Sequence, residues 1–364
     1  MTGACDACLR RGYLIGLLAG RIAGLLDGRR RRPSEILALE DAELAMAVGG
    51  ADTDAALDFL AHFDARRARA DLGRAEVEAV CHHREGYPAG LRDLADAPAV
   101  LFCRGRIELL RATDNEAAVT VVGTRDASPY GLDVAHDLGR GLATAGITTI
   151  SGMALGIDAA AHRGALGGRG ATIAVLACGP DVVYPRRHRE LHAQICASGL
   201  VLSELPPGQR AYRWSFPARN RIMAALARMT IVVEAGESSG TLITADFAQD
   251  LGRTVAAVPG RVTARLARGS NKLLRDGAPV IRDAGDALDE LFGIGERPRL
   301  AVDLSGLDPL QLRLLDAVEA GLDMDGICAF AGVPVAEARG ALARLEVRGL
   351  VRRDGLSGWE RGRG

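Results

Sequence analysis

The stretch AVTVVGTRDASPYGLDVAHDLGRGLATAGITTISG, residues 118–152, decides the fold. It opens on AVTVVG (118–123), a short apolar and β-branched run closed by a glycine. Residues 131–145 then place Leu132, Ala135, Leu138, Leu142 and Ala145 at intervals of three to four, the repeat of one helix face. ITTISG (147–152) returns to the strand pattern. The alternation continues outward through TIAVLACG (172–179), LVLSE (200–204), TIVVEA (230–235) and TVAAVPG (254–260). Strands that are apolar throughout and separated by helices predict a parallel sheet covered on both faces. The expected fold class is therefore α/β, a Rossmann-like doubly wound parallel sheet. Ligands in such sheets lie at the carboxyl ends of the strands, near the point where strand order reverses.

Those strand ends carry Gly123-Thr124-Arg125, Ser151-Gly152, Cys178-Gly179, Ser203-Glu204, Glu234-Ala235-Gly236 and Pro259-Gly260. Glycine there also serves any tight βα turn. Small hydroxyls beside helix N-termini favour an anion, and several such turns converge on one rim. The turn after the first strand, GTRDASPYG, lacks GxGxxG, and no GxxxxGK[ST] occurs, which argues against dinucleotide and P-loop chemistry.

The 364 residues suffice for two or three domains, and 48% apolar with 25% charged residues suits a globular protein. No run of about 18 apolar residues predicts a membrane span. Leu14 to Leu26 is apolar-rich but carries Arg21 and lacks a small-residue cleavage site, so a cytoplasmic location is expected. The seven cysteines are an odd, scattered set that suits reduced thiols. Cys5-x-x-Cys8 is half of a zinc-ribbon pattern, but no second CxxC or HxxxH follows, so neither metal nor cofactor is expected.

Residues 1–80 read as an N-terminal helical domain, with Leu14, Leu17, Leu18, Ile22, Leu25 and Leu26 at helical spacing. Arg29 to Arg32 end at Pro33 and read as a solvated loop. The Rossmann-like domain is placed at 81–293, a linker at 294–305, and a small C-terminal domain at 306–364. The last ends on an amphipathic helix, a glycine stop and short β-type segments, an order resembling a winged helix.

A net charge of −1 does not describe a generally basic protein, but its distribution is uneven. Leu205 to Val233 holds no acid yet carries Arg210, Arg213, Arg219, Arg221 and Arg228. Leu251 to Arg275 again holds none, with Arg253, Arg261, Arg265, Arg268, Lys272 and Arg275. Both windows begin near the strand-end rim, where a polyanion would be held by counterion release. Tyr212, Trp214 and Phe216 alternate inside the first window. Aromatics among arginines stack single-stranded bases; for Tyr212 and Trp214, covering a sheet edge is the competing reading.

VVGTR, SGMALGIDAAAH, AVLACGPDVVYP, SELPPG, FPARNRI, VVEAGESSGTLITADFA, GRTVAAVPG and GSNKLLRDGA occur in this order. Together with CHHREGYPAGLRDLADAPAVLFCRG before them, they make the chain resemble the DNA processing protein A (DprA, also called Smf) family from roughly residue 80 to 293. The N-terminus resembles that family's sterile-alpha-motif-like domain more loosely, and the C-terminus its winged-helix appendage. The resemblance implies an extended Rossmann fold and a homodimer that binds single-stranded DNA without sequence preference. It also implies loading of the RecA recombinase during natural transformation, and no catalysis. The implied DNA-binding residues are Gly123, Thr124, Arg125, Ser151, Gly152, Phe216, Arg219, Asn220, Arg221, Ser239, Gly240, Gly269, Ser270, Asn271 and Lys272. Arg219 and Arg221 are expected at the start of a helix, with at least one on a phosphate; pairing with Glu204 or Glu234 is the competing role. Asp158 and His162, spaced i, i+4, read as a helix salt bridge or cap.

Two rivals stand beside this. Nucleoside-monophosphate phosphoribohydrolases carry PGGxGTxxE, but the comparable EAGESSGTLIT places Thr244 where their catalytic Glu falls. A duplex-DNA regulator would read through Val335 to Arg348, where Arg339, Arg344 and Arg348 mix with Glu337 and Glu346.

Overall fold

Every segment assigned above to the central sheet is a strand in the computed structural model of the chain. The structure describes residues 3–26, 33–114, 118–168, 170–295, 307–347, 350–354 and 358–361. The run Arg29 to Arg32 and most of the expected linker lie outside them. Residues 1–297 form one compact unit and 298–364 a second.

In the first unit the strands are β1 (Glu78–Cys81), β2 (Val100–Gly105), β3 (Ala118–Val122), β4 (Thr148–Ser151), β5 (Thr172–Val175), β6 (Leu200–Ser203), β7 (Met229–Val232) and β8 (Thr254–Ala257). Among the described residues they form an eight-stranded sheet in the order β1-β2-β6-β5-β4-β3-β7-β8. From β6 to β8 all neighbours are parallel, with Val119 of β3 opposite Thr149 on one side and Met229 on the other. The sheet is not parallel throughout, which corrects the expectation. β2 runs antiparallel to β6, and β1 antiparallel to β2. These two strands cover an edge that β6 would otherwise leave open. An apolar run predicts a strand but carries no information on its direction.

Along β3, Val119 and Val121 enter one apolar layer while Ala118 and Val122 enter the other, as the two-residue repeat of a strand requires. The first layer holds the helices Pro129–Thr144, Ile157–Leu166 and Ala284–Phe292, through Ala135, Leu138, Leu142, Ala161 and Leu288. The second holds Ser215–Leu226 and Thr241–Asp250, through Ile222, Met223, Ala245 and Ala248. The helix after β3 begins at Pro129, earlier than the apolar repeat indicates. Ser128 caps it, its Oγ accepting from the Gly131 N–H at 3.1 Å, and proline suits the first helical position.

The chain steps from β3 to β4, β5 and β6 on one side, then crosses back to β7 and β8 on the other. The reversal therefore falls between β3 and β7, where a ligand crevice is expected.

The N-terminal helices Asp6–Leu26, Pro33–Leu37, Asp41–Gly49 and Thr53–Ala61 share a core with the sheet unit. Leu14, Leu18 and Ile22 lie on its buried stripe, with Leu205, Trp214 and Ala218 in the same cluster. Leu17, read as part of that stripe, is 52% exposed. Gly12 lets the first helix lie directly on β2, since a Cβ there would collide with Val100 and Phe102. Among the described residues no single helix is long and apolar enough to cross a membrane.

The second unit contains the helices Pro309–Glu319, Met324–Ala331 and Val335–Val347, then an antiparallel pair, β9 (Val351–Asp354) and β10 (Gly358–Arg361). Leu314, Leu315, Ile327, Leu342, Leu345 and Trp359 form its own core.

Candidate nucleic-acid interface

The crevice between β3 and β7 is a cleft of about 410 Å³. Its walls are the turn after β3 (Gly123, Thr124, Arg125), the start of the Ser215–Leu226 helix (Phe216, Arg219, Asn220) and the turn after β7 (Ser239, Gly240). Eight of the fifteen expected site residues thus meet in one place.

Glu234, at the end of β7, fixes the first wall. Its carboxylate accepts from the Ser128 N–H at 2.9 Å and the Ser128 hydroxyl at 2.6 Å, and its carbonyl accepts from the Thr124 N–H at 2.7 Å. This leaves Arg125 exposed at the tip, its guanidinium 5.0 Å from the centroid of the Phe216 ring. The Arg219 guanidinium lies 5.9 Å from the same ring, and the Tyr184 ring lies 5.6 Å away. Phe216 is half-buried between two cations, an arrangement in which its face attracts both.

Arg219 is only 7% exposed. It donates to the carbonyls of Gly152 and, at 2.8 Å, Val175, and weakly to Asn220 Oδ1 at 3.4 Å. A Cβ at residue 152 would occupy the space of the Arg219 guanidinium, so glycine there makes room for it. The nearest carboxylate, Asp158, stands 3.8 Å away. Burial pulls Arg219 below its ordinary pKa and Asp158 offsets part of that; burial pushes Asp158 up against the lowering pull of Arg219. Carbonyls solvate this cation, and its nearest carboxylate stands beyond hydrogen-bond distance, so its charge is only partly balanced at the cleft wall. Asn220 ties the two walls together, its amide donating to the Gly240 carbonyl at 3.4 Å.

Arg221 does not share this role, and the expectation for it is corrected. It is 1% exposed and directed away from the cleft. Its Nε donates to Asp96 Oδ2 at 2.8 Å, Nη2 to Glu204 Oε1 and to the Asp96 carbonyl at 2.9 Å each, and Nη1 to the Ala218 carbonyl at 2.9 Å. Burial alone lowers its pKa, but Glu204 and Asp96 outweigh that and hold it charged. The competing role, a pair with Glu204, is the one the structure has.

Other expected residues support the rim from inside. Ser151 is fully buried, its hydroxyl donating to the Val121 carbonyl at 2.7 Å. Ser239 turns to its own helix, donating to Thr241 Oγ1 at 3.1 Å and accepting from the Thr241 N–H at 3.3 Å. Gly269 donates its N–H to the Ala235 carbonyl at 2.7 Å, docking the start of the Arg268–Arg275 helix against the turn after β7. Ser270 is buried and donates to Ala267 at 3.2 Å. Asn271 holds Gly260 at both ends, 3.1 and 3.0 Å. Lys272 is exposed on the same helix, and with Arg261, Arg265 and Arg268 it has no carboxylate partner among the described residues.

Trp214 and Tyr212 belong to the core rather than a groove. Trp214 is 4% exposed, and its indole N–H donates to the Ala19 carbonyl at 2.9 Å. Asp158 and His162 do not pair. Asp158 accepts from the Ala154 N–H at 3.2 Å, and buried His162 lies 2.6 Å from the Thr172 hydroxyl, its pKa drawn down to about 3 by burial.

Two further hollows adjoin the cleft, and Arg125 lines all three. The smaller is walled by Tyr184, Pro185 and Phe216; the larger, about 530 Å³, by Arg163 and Arg187. Both arginines are exposed and carry no carboxylate partner among the described residues. Neither was singled out above. The run Arg186-Arg187-His188-Arg189 is too short to stand out by composition, and Arg163 sits alone on a helix.

The family model for DNA recombination-mediator protein A matches residues 78–292. A putative DNA processing protein DprA of Mycobacterium tuberculosis is 42% identical over 277 residues, covering 74% of this chain and 71% of the relative. The crystal structure of DNA processing protein A from Streptococcus pneumoniae superposes with a TM-score of 0.62 at 31% identity, over 79% of this chain and 98% of that one. DNA processing protein A from Helicobacter pylori, studied for its single-stranded DNA binding mode, superposes with a TM-score of 0.54 at 31% identity, over 59% and 95%.

Proposed function

The chain belongs to the DNA recombination-mediator protein A family, and from that premise we propose that it binds single-stranded DNA along the carboxyl rim of its sheet, whatever the sequence. Phe216 between Arg125 and Arg219 carries this reading. One aromatic face flanked by two cations suits a base stacked beside its own phosphates. Every base has a π-face and every nucleotide a phosphate, so such a site has no reason to prefer a sequence. Arg163 and Arg187 extend the track on one side; Lys272 and the loop after β8 extend it on the other. A strand held this way keeps its Watson–Crick edges free, which suits handing it to the RecA recombinase in recombination and DNA uptake.

The rest of the proposal follows the family resemblance. The protein acts as a homodimer by binding rather than by catalysis. Its N-terminal helices are a sterile-alpha-motif-like layer and its second unit a winged helix. Thr244, buried at the cleft wall, supplies no carboxylate to stabilise a developing oxocarbenium ion.

Competition between single strands and duplex tests the reading. Labelled oligo-dT bound to the protein is expected to be displaced by unlabelled oligo-dT or oligo-dC but poorly by duplex of equal length. A chain ending at residue 300 is expected to keep this binding. Equal displacement by duplex, or loss of binding on truncation, would instead favour a duplex reader in the second unit.

A further inference from the structure

Cys5 and Cys8 lack partners nearby in sequence, but the fold supplies them. Cys81 ends β1 and His83 lies in the turn after it, more than seventy residues along the chain. One ligand atom from each of Cys5, Cys8, Cys81 and His83 falls within 4.8 Å of all the others. His83 Nδ1 is 3.4 Å from both Cys5 Sγ and Cys8 Sγ. Around a tetrahedral zinc, with Zn–S of about 2.3 Å and Zn–N of about 2.0–2.1 Å, neighbouring ligand atoms stand about 3.5–3.8 Å apart. The cluster is therefore near ligand geometry, and closing on an ion needs only small side-chain rotations.

We propose that these four residues form a structural zinc site of the Cys₃His type. Three soft thiolates and one imidazole select zinc over the hard cations. A full set of four protein ligands leaves no open position for catalysis. The surroundings supply the outer contacts such a site needs. His83 binds through Nδ1, and its Nε2 lies 3.0 Å from His82 Nε2, so the Nε2–H that metal binding leaves on His83 donates a hydrogen bond to His82 and fixes the tautomer. The Cys5 backbone N–H donates to Cys81 Sγ at 3.4 Å. The Ala4 N–H donates to the Ala79 carbonyl at 2.9 Å, holding the start of the chain on β1. Cys8 and Cys81 are buried while Cys5 and His83 reach the surface, so the ion has an entry path.

The position gives the site its purpose. It joins the first turn of the Asp6–Leu26 helix to the edge strand of the sheet. That helix also receives the Trp214 indole at Ala19, immediately before the helix that carries Phe216 and Arg219. Zinc here staples the helical layer to the sheet and so steadies one wall of the cleft. This inference does not depend on which ligand the cleft takes.

Elemental analysis of the full chain, purified with its thiols reduced from cells supplied with zinc, is expected to find about one zinc per chain. Cys5→Ser and Cys81→Ser are expected to lose it, whereas His83→Cys retains it. Because a serine variant could fail to fold, the metal-free wild-type chain is also titrated with Co²⁺ under reducing conditions. Equimolar uptake, with thiolate-to-cobalt charge-transfer absorption and tetrahedral bands that zinc abolishes, supports the site. Zinc below about a tenth per chain with no such cobalt spectrum would overturn it, as would preferential retention of iron or a disulfide among these cysteines in place of metal.

Discussion

Arg221→Ala is expected to destabilise the sheet unit by about 3–5 kcal/mol, the usual result of removing one partner from a buried ion network. Arg221 is 1% exposed and satisfies Asp96 and Glu204 together. Without it two carboxylates remain side by side in a low-dielectric interior, and the carbonyls of Asp96 and Ala218 lose the bonds that Arg221 donates. For a unit spanning residues 1–297 the loss corresponds to a fall of roughly 5–8 °C in Tm. Differential scanning calorimetry or urea denaturation reads it directly. Unchanged stability together with weakened DNA binding would mean that Arg221 leaves its carboxylates and reaches the ligand.

Phe216→Ala is the variant expected to affect binding most, by about 1–3 kcal/mol, the worth of one stacked base. The ring is also the surface on which Arg125 rests, so its loss frees that guanidinium to move. Phe216→Trp keeps a face for both base and cation and is expected to restore most of the affinity. Anisotropy titrations with oligo-dT, run well below the unfolding transition, separate this from a folding defect. Equal affinities for the wild type and Phe216→Ala would remove the ring from the interface.

The two arginines of FPARNR show where sequence reading stops. Side chains two residues apart on a helix point about 200° from each other, so Arg219 and Arg221 face opposite sides of Ser215–Leu226. In this arrangement the two do not meet the same phosphate. Which of the two faces the cleft depends on Asp96 and Glu204, supplied by distant parts of the chain. The apolar strands and the Ala135–Leu138–Leu142 face were legible because periodicity is local, although Leu132, read on the same face, is exposed. The antiparallel β1 and β2, the burial of Trp214 against Ala19 and the rim cations Arg163 and Arg187 were not, because each rests on a through-space neighbour. The same limit hides Cys81 and His83 from a search for ligands near Cys5 and Cys8. Turn glycines were legible as turns, but the reason for Gly152, the room that Arg219 takes, was not.

The most direct measurement on the rim as a phosphate track is the salt dependence of oligo-dT affinity for the wild type and for a chain with Arg125, Arg163 and Arg187 all changed to Ala. Each lost phosphate contact flattens the slope of log affinity against log salt by about 0.7. The triple variant is expected to bind every oligonucleotide sequence more weakly, with a slope flatter by roughly 2. The same slope and the same affinity in both proteins would contradict that role of the rim.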